Sequence, residues 1–267
     1  MKSDKIPANL PDILAVIKPL AVEAGKAIMN IYETEFAVEI KDDKSPLTLA
    51  DTAANEIIVR CLREHFPGYA ILTEESQDDA KRLGNDFCFI VDPLDGTKEF
   101  INRNGQFTVN IALAYKNEAV LGVIYVPVSE QLYYACRDGG AFFEDLKSGK
   151  KRKIQVSDKL DDLTVVGSRS HASPQEAELF EKHKDKIRNI VSVGSSLKGC
   201  MVAAGEADVY YRFGLTSEWD IGAMQCIVEE SGGIFRQTDG TVMRYNRKDI
   251  LNRLGFYVVN RVENIWI

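Results

Sequence analysis

Hydrophobic positions in the first part of the chain change from a helical spacing to a strand spacing. Apolar residues recur at helical intervals over residues 10–32, which predicts a helix that is kinked or restarted near Pro19. The same spacing predicts a second helix over residues 48–65. Short β-rich runs follow at residues 69–72 and 87–91, and each of them ends in acidic residues. Two helices are therefore expected to precede the first strands.

The later hydrophobic patterns divide the chain into two halves. Strand-like runs at residues 107–114, 119–125 and 131–136 predict an antiparallel meander. From Lys159 onward strands and helices alternate. The predicted strands are 163–166, 190–193, 208–213 and 255–259, and the predicted helices begin after Ser173 and cover 198–204 and 218–230. We therefore predict an α+β half over residues 1–155 and an α/β half over residues 156–267, with the active site between them.

Composition and charge indicate a folded, soluble protein. Apolar residues make up 45% of the 267 and charged residues 27%, as in ordinary globular domains. There are 33 Lys and Arg against 40 Asp and Glu, and the net charge of −7 disfavours a protein that coats duplex nucleic acid. The N-terminus lacks the apolar core of a signal peptide, and no apolar run approaches the roughly 18 residues of a spanning helix. We therefore expect an intracellular protein without a transmembrane segment.

The five cysteines are scattered and contain no CxxC pair, which argues against a zinc or redox site. They are expected to be buried free thiols; they are Cys61, Cys88, Cys136, Cys200 and Cys226.

One short segment concentrates positive charge. Residues 147–153, Lys-Ser-Gly-Lys-Lys-Arg-Lys, hold five cations in seven residues. Such runs occur in nucleic-acid-binding proteins. No aromatic residue interleaves with these cations, which favours a solvated turn between a hairpin and a strand.

Two aspartates at the end of a buried-looking strand carry the most specific chemical signal in the chain. They lie three residues apart in Phe89-Ile-Val-Asp92-Pro-Leu-Asp95-Gly-Thr97. Unpaired buried charge is expensive, so a bound cation would explain the pair, and oxygen ligands favour Mg²⁺. Gly96 and Thr97 then open a short predicted helix, whose first N–H groups could receive a phosphate.

Each acidic residue also has a simpler interpretation when it is taken alone. The Asp92 and Asp95 run is compatible with an Asx-turn and a helix N-cap. Asp51 could cap the second helix, and Glu74 and Asp220 could compensate helix dipoles. These alternatives stay open on the residues themselves.

Four separated segments nevertheless form a recognisable set: Asp51, Thr73-Glu-Glu-Ser76, Val91-Asp-Pro-Leu-Asp-Gly-Thr-Lys-Glu-Phe100 and Ser217-Glu-Trp-Asp220. In order and spacing, over nearly the whole chain, they resemble the inositol monophosphatase superfamily of Mg²⁺-dependent, lithium-sensitive phosphatases. The resemblance implies an α+β and α/β chain folded as the layered αβαβα sandwich of the inositol monophosphatase and fructose-1,6-bisphosphatase type.

Three further segments are Val166-Gly-Ser-Arg-Ser-His171, Val193-Gly-Ser-Ser-Leu-Lys198 and Asp208-Val-Tyr-Tyr-Arg-Phe-Gly214. They are similar to the bacterial 3′(2′),5′-bisphosphate nucleotidases. That branch hydrolyses the 3′-phosphate of adenosine 3′,5′-bisphosphate to give AMP and phosphate, which removes a by-product of sulfur assimilation.

The resemblance implies two Mg²⁺ ions, with a third one optional near Glu74. Glu74, Asp92 and the Leu94 carbonyl would hold the first ion. Asp92, Asp95 and Asp220 would hold the second, so Asp92 would bridge the two. Metals on both sides of the ester suit an in-line displacement.

The resemblance also implies roles in catalysis and substrate binding. The attacking water would pass a proton through the Thr97 hydroxyl to Asp51, with Glu74 close by. The implied substrate-binding residues are Gly96, Thr97, His171, Ser195, Lys198, Arg212 and Asp220. Among them, Lys198 and Arg212, helped by the hydroxyl of Ser195, would hold the phosphate that is not cleaved; without the resemblance, a solvated Lys and a strand-edge Arg are the simpler interpretation.

Two other functions stay open. An inositol or sugar monophosphatase of the same superfamily would share every metal ligand. A noncatalytic nucleotide- or RNA-binding protein would instead use residues 147–153. The resemblance further implies a cytoplasmic monomer or weak dimer acting on a small molecule, and leaves open a peripheral association with the inner face of the membrane.

Overall fold

The computed structural model describes residues 6, 8–33, 38–40, 46–169 and 173–267. Its α-helices are α1 Leu10–Tyr32, α2 Leu49–His65, α3 Thr97–Ile101, α4 Pro174–Lys182, α5 Leu197–Ala203 and α6 Glu218–Glu230. Within these described ranges no helix is both long enough and apolar enough to cross a membrane.

The strands of the first half are β1 Val38–Ile40, β2 Pro46–Thr48, β3 Ala70–Thr73, β4 Phe87–Asp95, β5 Thr108–Tyr115, β6 Glu118–Val126, β7 Gln131–Cys136, β8 Gly140–Asp145 and β9 Lys150–Ile154. The strands of the second half are β10 Leu163–Ser168, β11 Ile187–Val193, β12 Val209–Arg212, β13 Thr216–Ser217, β14 Ile234–Gln237, β15 Leu251–Asn252 and β16 Phe256–Val259. β1 pairs with β2, and β13 pairs with β15, both antiparallel.

Two large sheets organise the chain. The first has seven strands in the order β3-β4-β5-β6-β7-β8-β9, and from β4 onward every neighbouring pair is antiparallel. The predicted meander is therefore confirmed. The second large sheet has five strands in the order β11-β10-β12-β16-β14, with β10 parallel to both β11 and β12. The sequence prediction missed β14, which pairs antiparallel with β16.

Alternate residues along the strands of each sheet face different hydrophobic cores, and these cores define the layers of the fold. Phe89 and Val91 of β4 pack with α1 and α2, whereas Cys88 and Ile90 join the core that contains α5 and α6. In the second sheet Tyr210 faces that same central core, while the residues on either side of it face α4. Helices α1 and α2 therefore cover the outer face of the first sheet, α5 and α6 lie between the two sheets, and α4 covers the outer face of the second sheet. This arrangement confirms the αβαβα sandwich.

Helix α6 belongs to the second half of the chain, yet it packs on the first sheet. A Cβ at Gly122 of β6 would lie only 2.8 Å from the Cα of Ala223, so the missing side chain lets α6 approach closely. The central core consequently combines residues from both halves. The proposed division after residue 155 separates the two large sheets but not the core between them.

Helix α1 runs through Pro19 without a restart. Proline inside a helix removes one backbone hydrogen bond and costs about 3 kcal/mol. Eight residues of α1 are buried, and each large apolar side chain contributes roughly 1.5–3 kcal/mol, so packing outweighs the loss. Of the two predicted alternatives, a kinked or a restarted helix, the restarted helix is therefore wrong.

The basic segment is a turn followed by an edge strand, whereas the sequence predicted a turn alone. Residues 150–154 form β9, and its four cationic side chains are exposed. Lys151 Nζ lies 5.2 Å from the ring centroid of Phe142, and the Arg152 guanidinium lies 5.1 Å from that of Phe143. These aromatic neighbours come from β8, so they do not interleave in the sequence. Lysines on a sheet edge also oppose pairing with another chain.

All five cysteines are free, as predicted. Four are buried and Cys61 is half-buried.

Candidate active site

A bulge at the end of β4 brings two aspartates to the same side of the first sheet. Asp92 pairs with Asn110 and Asp95 pairs with Thr108, so three steps along β4 match two steps along β5. Side chains three positions apart in a regular strand would point to opposite faces. The extra residue restores a common face and lets both carboxylates join one site.

The third member of the acidic cluster comes from the start of α6. Carboxylate oxygens of Asp92, Asp95 and Asp220 all lie within 4.8 Å of one another. The backbone N–H of Ser217 donates to Asp220 Oδ2 at 2.7 Å, which orients this side chain at the helix N-terminus. Because α6 packs on the first sheet, residues far apart in the sequence meet here.

Burial and mutual repulsion raise the pKa values of the cluster. Asp92 is 1% exposed, and loss of solvation followed by the charges of Glu74 and Asp95 raises its pKa well above the ordinary range. The pKa of Asp220 rises to about 8, chiefly through burial and then through Asp95. A cation would relieve this repulsion, and three carboxylates suit a hard ion such as Mg²⁺.

The cluster opens into a cavity of about 450 Å³ between the two sheets. Sequence-predicted residues that line it are Glu74, Asp92, Leu94, Asp95, Gly96, Thr97, Ser195, Lys198, Arg212 and Asp220. Glu74 follows β3, and its N–H donates to Val91 O of β4 at 3.2 Å. Gly96 has φ of +96°, a left-handed conformation that suits glycine, at the turn into α3.

One described residue of the predicted set does not line this cavity, and another predicted residue is not described. Asp51 is buried in the first turn of α2, and its charge contributes to the raised pKa of Asp92. His171 lies outside the described residues.

The second half of the chain contributes two cationic side chains to the cavity, Lys198 and Arg212, beside Asp220. Lys198 is 6% exposed, and its ammonium donates to Ser195 O at 2.6 Å and to Val193 O at 3.4 Å. Burial lowers the pKa of Lys198, and the neighbouring Asp95 opposes that change. Arg212, at the end of β12, is 8% exposed. The cavity therefore combines carboxylates from β4 and α6 with two buried cations.

Sequence reasoning missed the groups that hold the acidic residues in place. Asp95 Oδ2 accepts hydrogen bonds from the N–H of Ser196 at 2.7 Å and from Asn110 Nδ2 at 3.2 Å. Glu218, fully buried, accepts from the N–H groups of Asn246 at 2.6 Å and Arg247 at 2.9 Å, which anchors the start of α6. The sequence indicates such donors only indirectly: a buried carboxylate needs hydrogen-bond donors, but the sequence does not show which residues supply them.

Asp220→Asn should stabilise the metal-free protein at high pH. Between the unfolded pKa of about 3.9 and the folded pKa, the folded state binds more protons, so stability falls as pH rises through this window. Because the pKa of Asp220 is about 8 in the folded state, the loss of folding stability that its charge causes is largest above that pH. Asparagine can still accept from Ser217 and carries no charge.

Thermal unfolding with a chelator at about pH 5 and about pH 9 tests this expectation. The Tm of the variant should exceed that of the wild type by a margin that grows from the lower to the higher pH by at least 2–4 °C, the shift that about 1 kcal/mol gives at this size. Equal Tm values at both pH values would contradict the raised pKa.

Comparisons with known proteins agree on one family. The model of the inositol monophosphatase family matches residues 9–263. The 3′(2′),5′-bisphosphate nucleotidase CysQ of Salmonella typhimurium strain LT2 is 40% identical over 249 residues, covering 92% of this chain and 99% of that protein. The protein of the same name from Escherichia coli strain K12 is 39% identical over 242 residues, covering 90% and 96%.

Solved structures are similar in fold. The crystal structure of CysQ from Bacteroides thetaiotaomicron, a bacterial member of the same family, has a TM-score of 0.82 at 39% identity and covers 94% of this chain and 98% of that one. The Thermotoga maritima inositol monophosphatase has a TM-score of 0.79 at 26% identity, with coverage of 93% and 92%.

Proposed function

The chain belongs to the inositol monophosphatase family, and on that premise we propose that it hydrolyses the 3′-phosphate of adenosine 3′,5′-bisphosphate to give AMP and phosphate. The observation that carries the proposal is the cavity that pairs a carboxylate cluster with buried Lys198 and Arg212. A substrate with two phosphates needs a cationic region for each of them. A bound cation in the cluster would meet one phosphate, and the two side chains would meet the other.

We assign the metal ligands to acidic residues and one backbone carbonyl among the residues that line the cavity. Glu74, Asp92 and the Leu94 carbonyl would hold one Mg²⁺. Asp92, Asp95 and Asp220 would hold a second. Bound there, Mg²⁺ would supply the positive charge that stabilises the attacking and leaving oxygens and lowers the pKa of the attacking water.

Thr97 and Asp51 would handle the proton of that water. Thr97 is the first residue of α3 and lines the cavity beside Asp92 and Asp95. Asp51 is buried near Asp92, in surroundings that keep water away from its carboxylate. The Thr97 hydroxyl would donate to Asp51 while accepting from the water, with Glu74 on the same side.

The remaining groups would orient the substrate. The N–H groups of Gly96 and Thr97 would bind oxygens of the phosphate that is cleaved. Lys198 uses two of its three N–H donors on backbone carbonyls, which leaves one for the second phosphate. Arg212 can bind a phosphate through two parallel N–H groups.

The position of the basic strand argues against a noncatalytic RNA-binding function. β9 lies at the opposite edge of the first sheet from β3. Five strand spacings of about 4.8 Å place it about 24 Å from β4, which carries Asp92 and Asp95. A protein that bound RNA along β9 would have no use for the distant buried carboxylates.

Phosphate release from three substrates tests the proposed function. With Mg²⁺ present, kcat/KM should be highest for adenosine 3′,5′-bisphosphate, lower for inositol 1-phosphate and lower for a sugar phosphate. Excess chelator should abolish release, because every proposed ligand atom is an oxygen that needs a hard cation. A preference for inositol 1-phosphate would instead favour the monophosphatase, and no release from any substrate would contradict phosphatase activity.

A further inference from the structure

Ser196 lies between two members of the acidic cluster. It precedes α5 and is 1% exposed. Its N–H donates to Asp95 Oδ2 at 2.7 Å, and its Oγ lies 2.8 Å both from that oxygen and from the backbone carbonyl oxygen of Asp220. One residue therefore contacts the end of β4 and the start of α6.

The hydroxyl of Ser196 has one neighbouring donor and two neighbouring acceptors. A serine hydroxyl has one proton to donate and can also accept. Asn110 Nδ2 donates to Ser196 Oγ at 2.9 Å, so the single proton is left for Asp95 or for the Asp220 carbonyl. A charged acceptor makes the stronger bond, which favours the Asp95 carboxylate in its ionised form.

The donors around Asp95 converge on one of its two oxygens. Ser196 N and Oγ and Asn110 Nδ2 all donate to Oδ2, while Thr108 Oγ1 lies 3.4 Å from it and 2.9 Å from its other acceptor, Asn110 Oδ1. None of these bonds uses Asp95 Oδ1. Bonds to one oxygen hold the carboxylate in a single orientation while the other oxygen stays available to a cation.

We propose that Ser196 is a positioning residue for the metal site: its hydroxyl orients Asp95 through Oδ2 and presents Oδ1 to the cation. This inference rests on the proposed metal-dependent function and adds a residue that the sequence analysis did not select. It also assigns a role to Asn110, whose side-chain amide donates to both Ser196 and Asp95.

The turn that carries Ser196 is held independently of its hydroxyl. Lys198 Nζ donates to Ser195 O at 2.6 Å, and the Gly194 N–H donates to Gln106 Oε1 at 2.8 Å. Ser196→Ala therefore removes the hydroxyl and keeps the backbone bond to Asp95. The variant isolates the orientation of the carboxylate from the folding of the turn.

The test measures Mg²⁺ binding directly by calorimetric titration of the full chain, beside the Mg²⁺ concentration for half-maximal phosphate release. Ser196→Ala should raise the Mg²⁺ Kd about 10- to 100-fold, the range for residues that orient metal ligands. The kcat at saturating Mg²⁺ should fall less than the affinity, because the ligands themselves are intact.

Ser231→Ala is the matched control. Ser231 is also buried, and its hydroxyl donates to Val228 O at 2.7 Å at the other end of α6. It should lower Tm by an amount comparable to Ser196→Ala and leave the Mg²⁺ Kd unchanged.

Two outcomes separate this inference from the proposed function. Equal Mg²⁺ affinity in the wild type, Ser196→Ala and Ser231→Ala would overturn the positioning role and leave the proposed function intact. A wild-type protein that binds no Mg²⁺ in the titration would overturn the metal-dependent function and this inference with it.

Discussion

Asp92→Asn is expected to reduce kcat/KM for adenosine 3′,5′-bisphosphate by more than 100-fold. Residues that only orient a metal ligand typically change metal affinity or activity about 10- to 100-fold, and a bridging ligand should exceed that range. The charges of Glu74, Asp95, Asp220 and Asp51 all act on Asp92, so it lies at the centre of the cluster. Removing its charge would weaken the binding of both proposed Mg²⁺ ions at once.

The substitution preserves local structure. Asp92 Oδ1 accepts from the N–H of Leu94 at 3.1 Å, and asparagine keeps that oxygen. The substitution removes a buried charge that the neighbouring carboxylates repel. The metal-free variant should therefore be at least as stable as the wild type. Phosphate release at saturating Mg²⁺, together with Tm, separates lost chemistry from lost folding.

Asp239→Asn is a matched control for this variant. Asp239 Oδ1 accepts from the N–H two residues later, Thr241, at 2.9 Å, as Asp92 does, but on the exposed surface. It should leave kcat/KM unchanged. An Asp92→Asn enzyme with activity within tenfold of the wild type would contradict the central role of Asp92.

Arg212→Ala is expected to remove most of the preference for the bisphosphate. A hydrogen bond to a charged group contributes about 1.5–3 kcal/mol, which corresponds to a loss of roughly 10- to 150-fold in kcat/KM. The charge of Arg212 lowers the pKa of its neighbour Lys198 and opposes the raised pKa of Asp220, so the guanidinium lies near both groups. Inositol 1-phosphate has no second phosphate, and its hydrolysis should change little.

Arg212 gives a cleaner test than Lys198. The Lys198 ammonium also holds the carbonyls of Ser195 and Val193, so Lys198→Ala should slow both substrates by disturbing that turn. Arg212→Lys keeps the charge without the two-pronged geometry and should give an intermediate loss. kcat/KM is measured for both substrates at fixed Mg²⁺ and ionic strength, and equal losses from Arg212→Ala would contradict its assignment to the uncleaved phosphate.

Local signals were sufficient for several elements. The bounds predicted for α6, residues 218–230, match the helix in the structure. Ser217 and Asp220 form a reciprocal cap at its start, and the backbone of Gly232 turns to a φ of +87° after its end. Both signals depend on neighbouring residues alone, so they can be recognised without the fold.

The bulge in β4 could not be derived from the sequence. A regular strand would separate Asp92 and Asp95 onto opposite faces, and the spacing of three alone does not say where the extra residue is accommodated. The register with β5 decides it, because Asp92 pairs with Asn110 and Asp95 with Thr108. That pairing depends on a partner strand more than ten residues away.

The helices, the antiparallel meander and the acidic residues of a candidate phosphatase can be read from the chain alone, because periodicity, caps and motif spacing are local properties. The packing of α6 on the first sheet, the burial of Lys198 against backbone carbonyls and the contacts of Ser196 with Asp95 and the Asp220 backbone can be seen only in the fold. These features arise from packing between distant segments. The energy of a buried carboxylate or ammonium depends on which donors and charges surround it, and those neighbours exist only in the folded chain.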